Sequence, residues 1–142
     1  MTSARLAAQA LALLGSVEGP IAVVGPELLV RAVSALAPVT TDGATAAVAS
    51  FVGTRLDVAT RQAQLATLRA RLAPGAPVAV VDHNQPRTWP RRLVATAYLA
   101  LHGFGPARAR HPAARELQAL GFKVERLRLT TGERLQLILA RR

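Results

Sequence analysis

Asp82, His83 and Asn84 follow a short run of apolar, largely β-branched residues, PVAVV, at 77–81. In an open α/β sheet, ligands bind at the carboxyl ends of the strands. A carboxylate beside an imidazole at such a place can move protons as an acid/base pair, so Asp82 and His83 are the candidate catalytic residues. The competing reading is that Asp82 only caps the turn before Pro86. Ser50, Thr54 and Arg55 leave the neighbouring apolar run, ATAAVASFV, on the same side, which puts a small cleft between the two exits.

A second constellation is basic and aromatic: Arg87, Trp89, Arg91 and Arg92 lie close together, with Arg108 and Arg110 further along. The indole can stack on a ring or base, and the guanidinium groups can hold phosphate or carboxylate bidentately. These four are therefore the candidate substrate or partner contacts. The same residues suit a membrane surface, with the apolar face of 93–101 dipping in. The competing reading is a solvated cap with Trp89 folded onto the core. His83, His102 and His111 are scattered and there is no cysteine, so no metal site is expected and disulfides are excluded.

A chain of 142 residues, 51% hydrophobic, has the size and apolar content of a single domain over 1–142. The formal net charge is +10, and Lys123 is the only lysine. That balance fits an acidic partner such as nucleic acid, or simply a compositional preference for arginine and alanine. The arginines are spread along the chain rather than massed in one tract. The Ala/Leu run up to Leu14 is shorter than the roughly 20 residues of a membrane span and lacks the features of a secretory signal. No transmembrane segment and a cytoplasmic location are expected.

The positioning elements follow from punctuation and periodicity. Helices are expected at 3–15, 27–36, from Asp57 to about Leu72, at 92–103 and over HPAARELQALGF. Arg61, Gln62, Gln64, Arg69 and Arg71 are read as the polar face of the third helical segment. Buried strands are expected at 21–25, 44–52 and 77–82. HNQPRTWPRR (83–92) is read as irregular because of its two prolines, and Thr131-Gly132 as the turn of a terminal hairpin. Strands alternating with helices predict a three-layer α/β/α sandwich of about five strands, mostly parallel, with a C-terminal antiparallel hairpin.

From Asp42 onward, four stretches resemble the second half of class I S-adenosylmethionine-dependent methyltransferases, particularly the small-molecule enzymes of ubiquinone and menaquinone biosynthesis. TTDGATAAVASFVGTRLD is similar to the strand beside the central one, and RQAQLATLRARLAPGAPVAVVD to the following helix, Pro-Gly turn and strand. NQPRTWPRRLVATAYLALHGF resembles an insertion that caps the substrate, here 83–110, and HPAARELQALGFKVERLRLTTGERLQLILARR the closing helix and hairpin. The resemblance implies a reduced Rossmann-like methyltransferase fold and S-adenosylmethionine as cofactor, with Gly25, Ser50 and Asp82 as the positions nearest it.

The first part of the chain departs from that family. There the first strand ends in an acidic residue and a glycine-rich loop, and later strands supply acids for the ribose and adenine. Here IAVVG is followed by PELLV: Gly25 is the only glycine, Pro26 removes a donor, and Glu27 adds a negative charge. The interval from Gly25 to Ala44 has no room for two further strands, since each parallel crossover needs about a dozen residues or more. The cofactor part is shortened. The resulting expectation is a methyltransferase-like domain without the usual cofactor site, serving as a non-catalytic partner or scaffold. The alternatives are a methyltransferase for a small hydrophobic or quinone-like molecule, completed by dimerisation, and a basic nucleic-acid-binding module. The IAVVG strand would become a sheet edge, covered by the N-terminal helix, a second copy or another protein, so a homodimer or partner-bound form is expected.

Overall fold

The computed structural model describes residues 2–104 and 112–142. Helix α1 (Ser3–Leu14) opens on Thr2, whose hydroxyl accepts from the Arg5 N–H, and closes at Gly15, φ 76°. Then come β1 (Ile21–Val24), α2 (Glu27–Ser34), β2 (Ala46–Ser50), α3 (Val58–Arg71) and β3 (Pro77–His83). They are followed by α4 (Trp89–Leu101), α5 (Ala113–Ala119), β4 (Lys123–Thr130) and β5 (Leu135–Arg141). Asp57 caps α3 by accepting from the Thr60 N–H at 2.7 Å. Trp89 to Arg92, expected to be irregular, form the first turn of α4. Pro90 is tolerated there because the first N–H groups of a helix have no partner inside it.

The five strands make one sheet in the order β1-β2-β3-β5-β4. β1, β2 and β3 are parallel, and β5 runs antiparallel to both β3 and β4. The period of two sorts the strand residues between two cores. Ala47, Ala49, Val78, Val80 and Ile138 pack under α3 and α5 with Leu65, Leu68 and Leu117. Ala46, Val48, Ala79, Val81 and Leu137 pack under α1 and α2 with Leu6, Ala10, Leu29 and Val33. The fold is thus an α/β/α sandwich: three parallel strands followed by an antiparallel pair.

The connections β1–α2–β2 and β2–α3–β3 step the same way across the sheet, yet α2 and α3 lie on opposite faces. They therefore have opposite hands, against the strong rule of right-handed crossovers. The first connection contains a detour. After α2 the chain reaches the outer side of β1, where Val39 bridges Ile21 in parallel. The Ile21 N–H donates to Pro38 O at 2.8 Å and the Thr40 N–H to Ile21 O at 3.0 Å. The chain then turns at Asp42-Gly43 and returns beneath β1, where the Thr45 N–H donates to Pro20 O, before entering β2. Helix α1 does not cover the sheet edge. It lies across β2, β3 and β5 against α2, on the face of the sheet.

Candidate functional site

Asp82 and His83 close β3, and the pleat sends their side chains to opposite faces. The structure does not bring carboxylate and imidazole together. Asp82, fully buried, belongs to the α3/α5 side. The Arg61 Nη2–H donates to Asp82 Oδ2 at 2.6 Å and the Arg61 Nε–H to Glu116 Oε2 at 2.7 Å. The guanidinium lies over the Phe51 ring, 4.1 Å from its centroid. The second Asp82 oxygen accepts the His83 N–H at 2.8 Å. Both carboxylate oxygens are thus engaged within the protein.

Arg61, expected on a solvated face, is fully buried. A sequence signal for it existed. Arg61, Leu65, Leu68 and Leu72 are spaced as one helical stripe, and all four are buried. An arginine in an apolar stripe requires acids opposite, and Asp82 and Glu116 provide them.

His83 faces the other way. With Val52, Ala95, Tyr98, Leu99 and Arg134 it lines a cavity of about 160 Å³ at the carboxyl end of β3, roofed by α4. The Gln136 Nε2–H donates to His83 O at 2.9 Å, and the Asn84 Nδ2–H to Glu133 O at 2.8 Å. These bonds fix the strand exit against the hairpin turn. Arg55 donates to His102 O at 3.3 Å and approaches the Phe104 ring, 5.9 Å from its centroid. Thr54 turns back to donate to Phe51 O at 2.9 Å.

Gly25 and Ser50 meet at the carboxyl ends of β1 and β2, and Gly25 also lines a groove of about 460 Å³ with Thr40, Thr60, Gln64 and Arg71. A Cβ on Gly25 would stand 2.8 Å from Ser50 O, and Gly25 has φ 152°. The Ser50 side chain is buried, and its Oγ accepts the Val52 N–H at 3.3 Å. Pro26 has no N–H to offer, and Glu27 is held by Arg31 at 2.5 Å across one turn of α2.

The basic and aromatic group sits at the start of α4. Trp89 is 71% exposed rather than folded onto the core. The Arg92 Nε–H donates to Pro86 O at 2.8 Å, and the Arg87 backbone N–H to Glu133 Oε2 at 3.0 Å. Arg91 stands 3.7 Å from Glu133. Arg108, Arg110 and His111 lie outside the described residues. Among the described residues no cluster of His, Cys, Asp and Glu could hold a metal ion, and no helix is long and apolar enough to cross a membrane.

No family model and no curated protein matches the chain. Solved structures do match. The pyocyanin biosynthetic protein PhzM is 18% identical with a TM-score of 0.66 over 86% of this chain and 49% of its own. Human N-acetylserotonin methyltransferase, solved with S-adenosylmethionine, is 17% identical with a TM-score of 0.61 over 99% of this chain and 45% of its own. The methyltransferase CalO6 is 18% identical with a TM-score of 0.61 over 97% of this chain and 52% of its own. The chain thus spans about half the length of these structures. With three parallel strands, an antiparallel closing pair and helices on both faces, it carries a reduced form of the class I S-adenosylmethionine-dependent methyltransferase fold.

Proposed function

We propose that this chain is a methyltransferase-like subunit that does not hold S-adenosylmethionine by itself and serves as a non-catalytic partner or scaffold. The supporting observation is the sheet order, which ends at β1. That is the side on which, by the family resemblance, the strands carrying the nucleoside-binding acids would continue. The residues present do not fit the cofactor. Gly25 lies tight against the Ser50 backbone, Ser50 is turned to its own chain, and Asp82 is engaged by Arg61 and a backbone N–H. Ligand binding must offset lost freedom through well-placed polar groups, and the Ser50 and Asp82 side chains are already engaged within the protein. The residues at 83–104 then act as a cap, and the partner is a second copy or another protein.

Calorimetric titration of the full chain with S-adenosylmethionine and S-adenosylhomocysteine tests this. No heat at millimolar ligand is expected, together with a mass above the monomer by light scattering. Saturable heat from a lone protomer overturns the reading.

A second reading rests on the His83 cavity. About 160 Å³ lined mainly by apolar side chains suits part of a small hydrophobic or quinone-like molecule. On this reading the chain is a methyltransferase whose cofactor contacts come from another protomer. Heat from the cofactor only in an associated form favours it. The nucleic-acid reading rests on charge alone and requires binding to random DNA or RNA that collapses with salt.

A further inference from the structure

Helix α4 is turned the wrong way for a helix in water. Only Ala95 and Leu99 are buried, on its inner side. Two rows at i, i+4 spacing, Trp89-Leu93-Ala97-Leu101 and Pro90-Val94-Tyr98, are exposed. Leu101 is 86% exposed, Val94 57% and Leu93 51%. No charged residue occurs from Leu93 to Leu101. A surface helix ordinarily carries its charges on this side.

The charges are gathered at one end instead. Arg87, Arg91 and Arg92 surround the first turn of α4. A shallow groove of about 290 Å³ lies beside it, lined by Pro90, Arg91, Val94, Gly132 and Arg134. Two arginines thus line a depression that abuts the apolar rows, the Arg134 Nε–H donating to Thr131 O at 3.2 Å. Glu133 opposes them, with its carboxylate half-turned to the Arg87 backbone.

We propose that α4 is an interfacial helix that lies in the surface of an anionic bilayer. Its apolar rows enter the headgroup–acyl boundary, Trp89 sits at that boundary, and Arg91 and Arg134 meet lipid phosphate in the groove. Amphipathic helices with aromatic and leucine residues on one side and arginines beside them bind such surfaces, and the basic groups select negative lipid. The net charge of +10 draws the chain the same way. A nucleic acid uses the arginines but offers nothing to Leu93, Val94 and Leu101. The helix lies on the membrane and does not span it. The proposal is independent of whether the chain binds S-adenosylmethionine.

Trp89 is the only tryptophan, so it reports on its own site. The full chain is mixed with vesicles of phosphatidylcholine, with and without phosphatidylserine. The expected result is a blue shift of Trp89 emission and quenching by lipids brominated on the acyl chain, with phosphatidylserine vesicles only, undiminished by inorganic phosphate. Replacing Arg87→Gln and Arg91→Gln together lowers vesicle affinity about 25-fold at low salt, at about fivefold per basic residue. Replacing Leu93→Ser and Leu101→Ser together lowers it about tenfold or more. These side chains are exposed, and far-ultraviolet circular dichroism checks the fold. If a variant unfolds, quenching in the unaltered chain decides. Failure to bind phosphatidylserine vesicles overturns the proposal, as does binding without Trp89 quenching. A blue shift that grows with protein concentration in the absence of lipid overturns it in favour of a second copy. An equal shift on random DNA overturns it in favour of nucleic acid.

Discussion

Asp82 and His83 are adjacent in β3, yet their side chains belong to two different halves of the molecule. Asp82 ends in a closed half, where a guanidinium from α3 is held between carboxylates of β3 and α5. His83 ends in an open half, where α4 leaves a cavity of about 160 Å³ and turns apolar side chains outward. The same strand end is therefore a lock on one face and a vestibule on the other. The chemistry of a strand-end acid depends on which face it enters, since a carboxylate saturated by an arginine is a structural part. Substitutions on the two faces should behave differently.

The largest effect is expected at Arg61. Arg61→Met leaves Asp82 and Glu116 buried without their shared cation. Breaking such a pair from one side costs about 3–5 kcal/mol, read as a lowered urea midpoint at unchanged slope. Replacing all three by apolar residues of similar volume should recover much of the loss, because buried ion pairs are often no better than packed hydrocarbon. A loss below about 1 kcal/mol for Arg61→Met would place the cluster in contact with water, and the contrast between the halves would fail.

Gly25 sharpens the contrast at the other end of the same sheet margin. If it cradles a ligand, Gly25→Ala should change binding and leave folding alone. Its geometry says the reverse. The new methyl would face Ser50 O at 2.8 Å, at a φ that side chains rarely adopt. A destabilisation of about 1–3 kcal/mol without any ligand is expected, measured by thermal or urea unfolding. Unchanged stability would return Gly25 to the list of binding residues.

These sites differ in how legible they were. Strands β1 to β3 were plain because continuous Val and Ala runs bounded by Gly and Pro leave few alternatives. The terminal hairpin was plain from Thr131-Gly132, where three successive positive φ values, at Thr131, Gly132 and Glu133, make the turn. Arg61 was hidden because polar residues on a helix are read as solvated until a partner is found, and its partners lie 21 and 55 residues away. The start of α4 was hidden because Pro86 and Pro90 read as helix breakers, although a proline in the first turn of a helix removes no internal hydrogen bond. The detour at Val39 could not be read at all. A single bridge leaves no periodic trace, and only the opposite placement of α2 and α3 shows what it does.

On the open face the expected cost is smaller. His83→Ala removes a ring that lines a cavity rather than one that fills a core, while its carbonyl still receives Gln136. A loss of about 1 kcal/mol is expected, in the ordinary range for single substitutions, together with altered uptake of a small aromatic probe such as phenol, measured by calorimetry. A cost equal to that of Arg61→Met would mean that both faces are locks.

The smallest effect lies on the surface, at the exposed start of α3. Asp57 caps α3 on the surface. The Thr60 backbone N–H, and then its hydroxyl, hold the carboxylate below its ordinary value near 3.8. A lowered pKa in the folded state means that the native chain favours the charged form. The resulting stabilisation is present above the ordinary value and disappears as pH falls through the lowered one. Asp57→Asn keeps a capping oxygen but cannot titrate, so its unfolding midpoint should fall less than that of the unaltered chain between neutral pH and about pH 2. Because the group is exposed, the difference should also shrink with added salt. A pH dependence that survives Asp57→Asn in full would overturn this assignment to the cap.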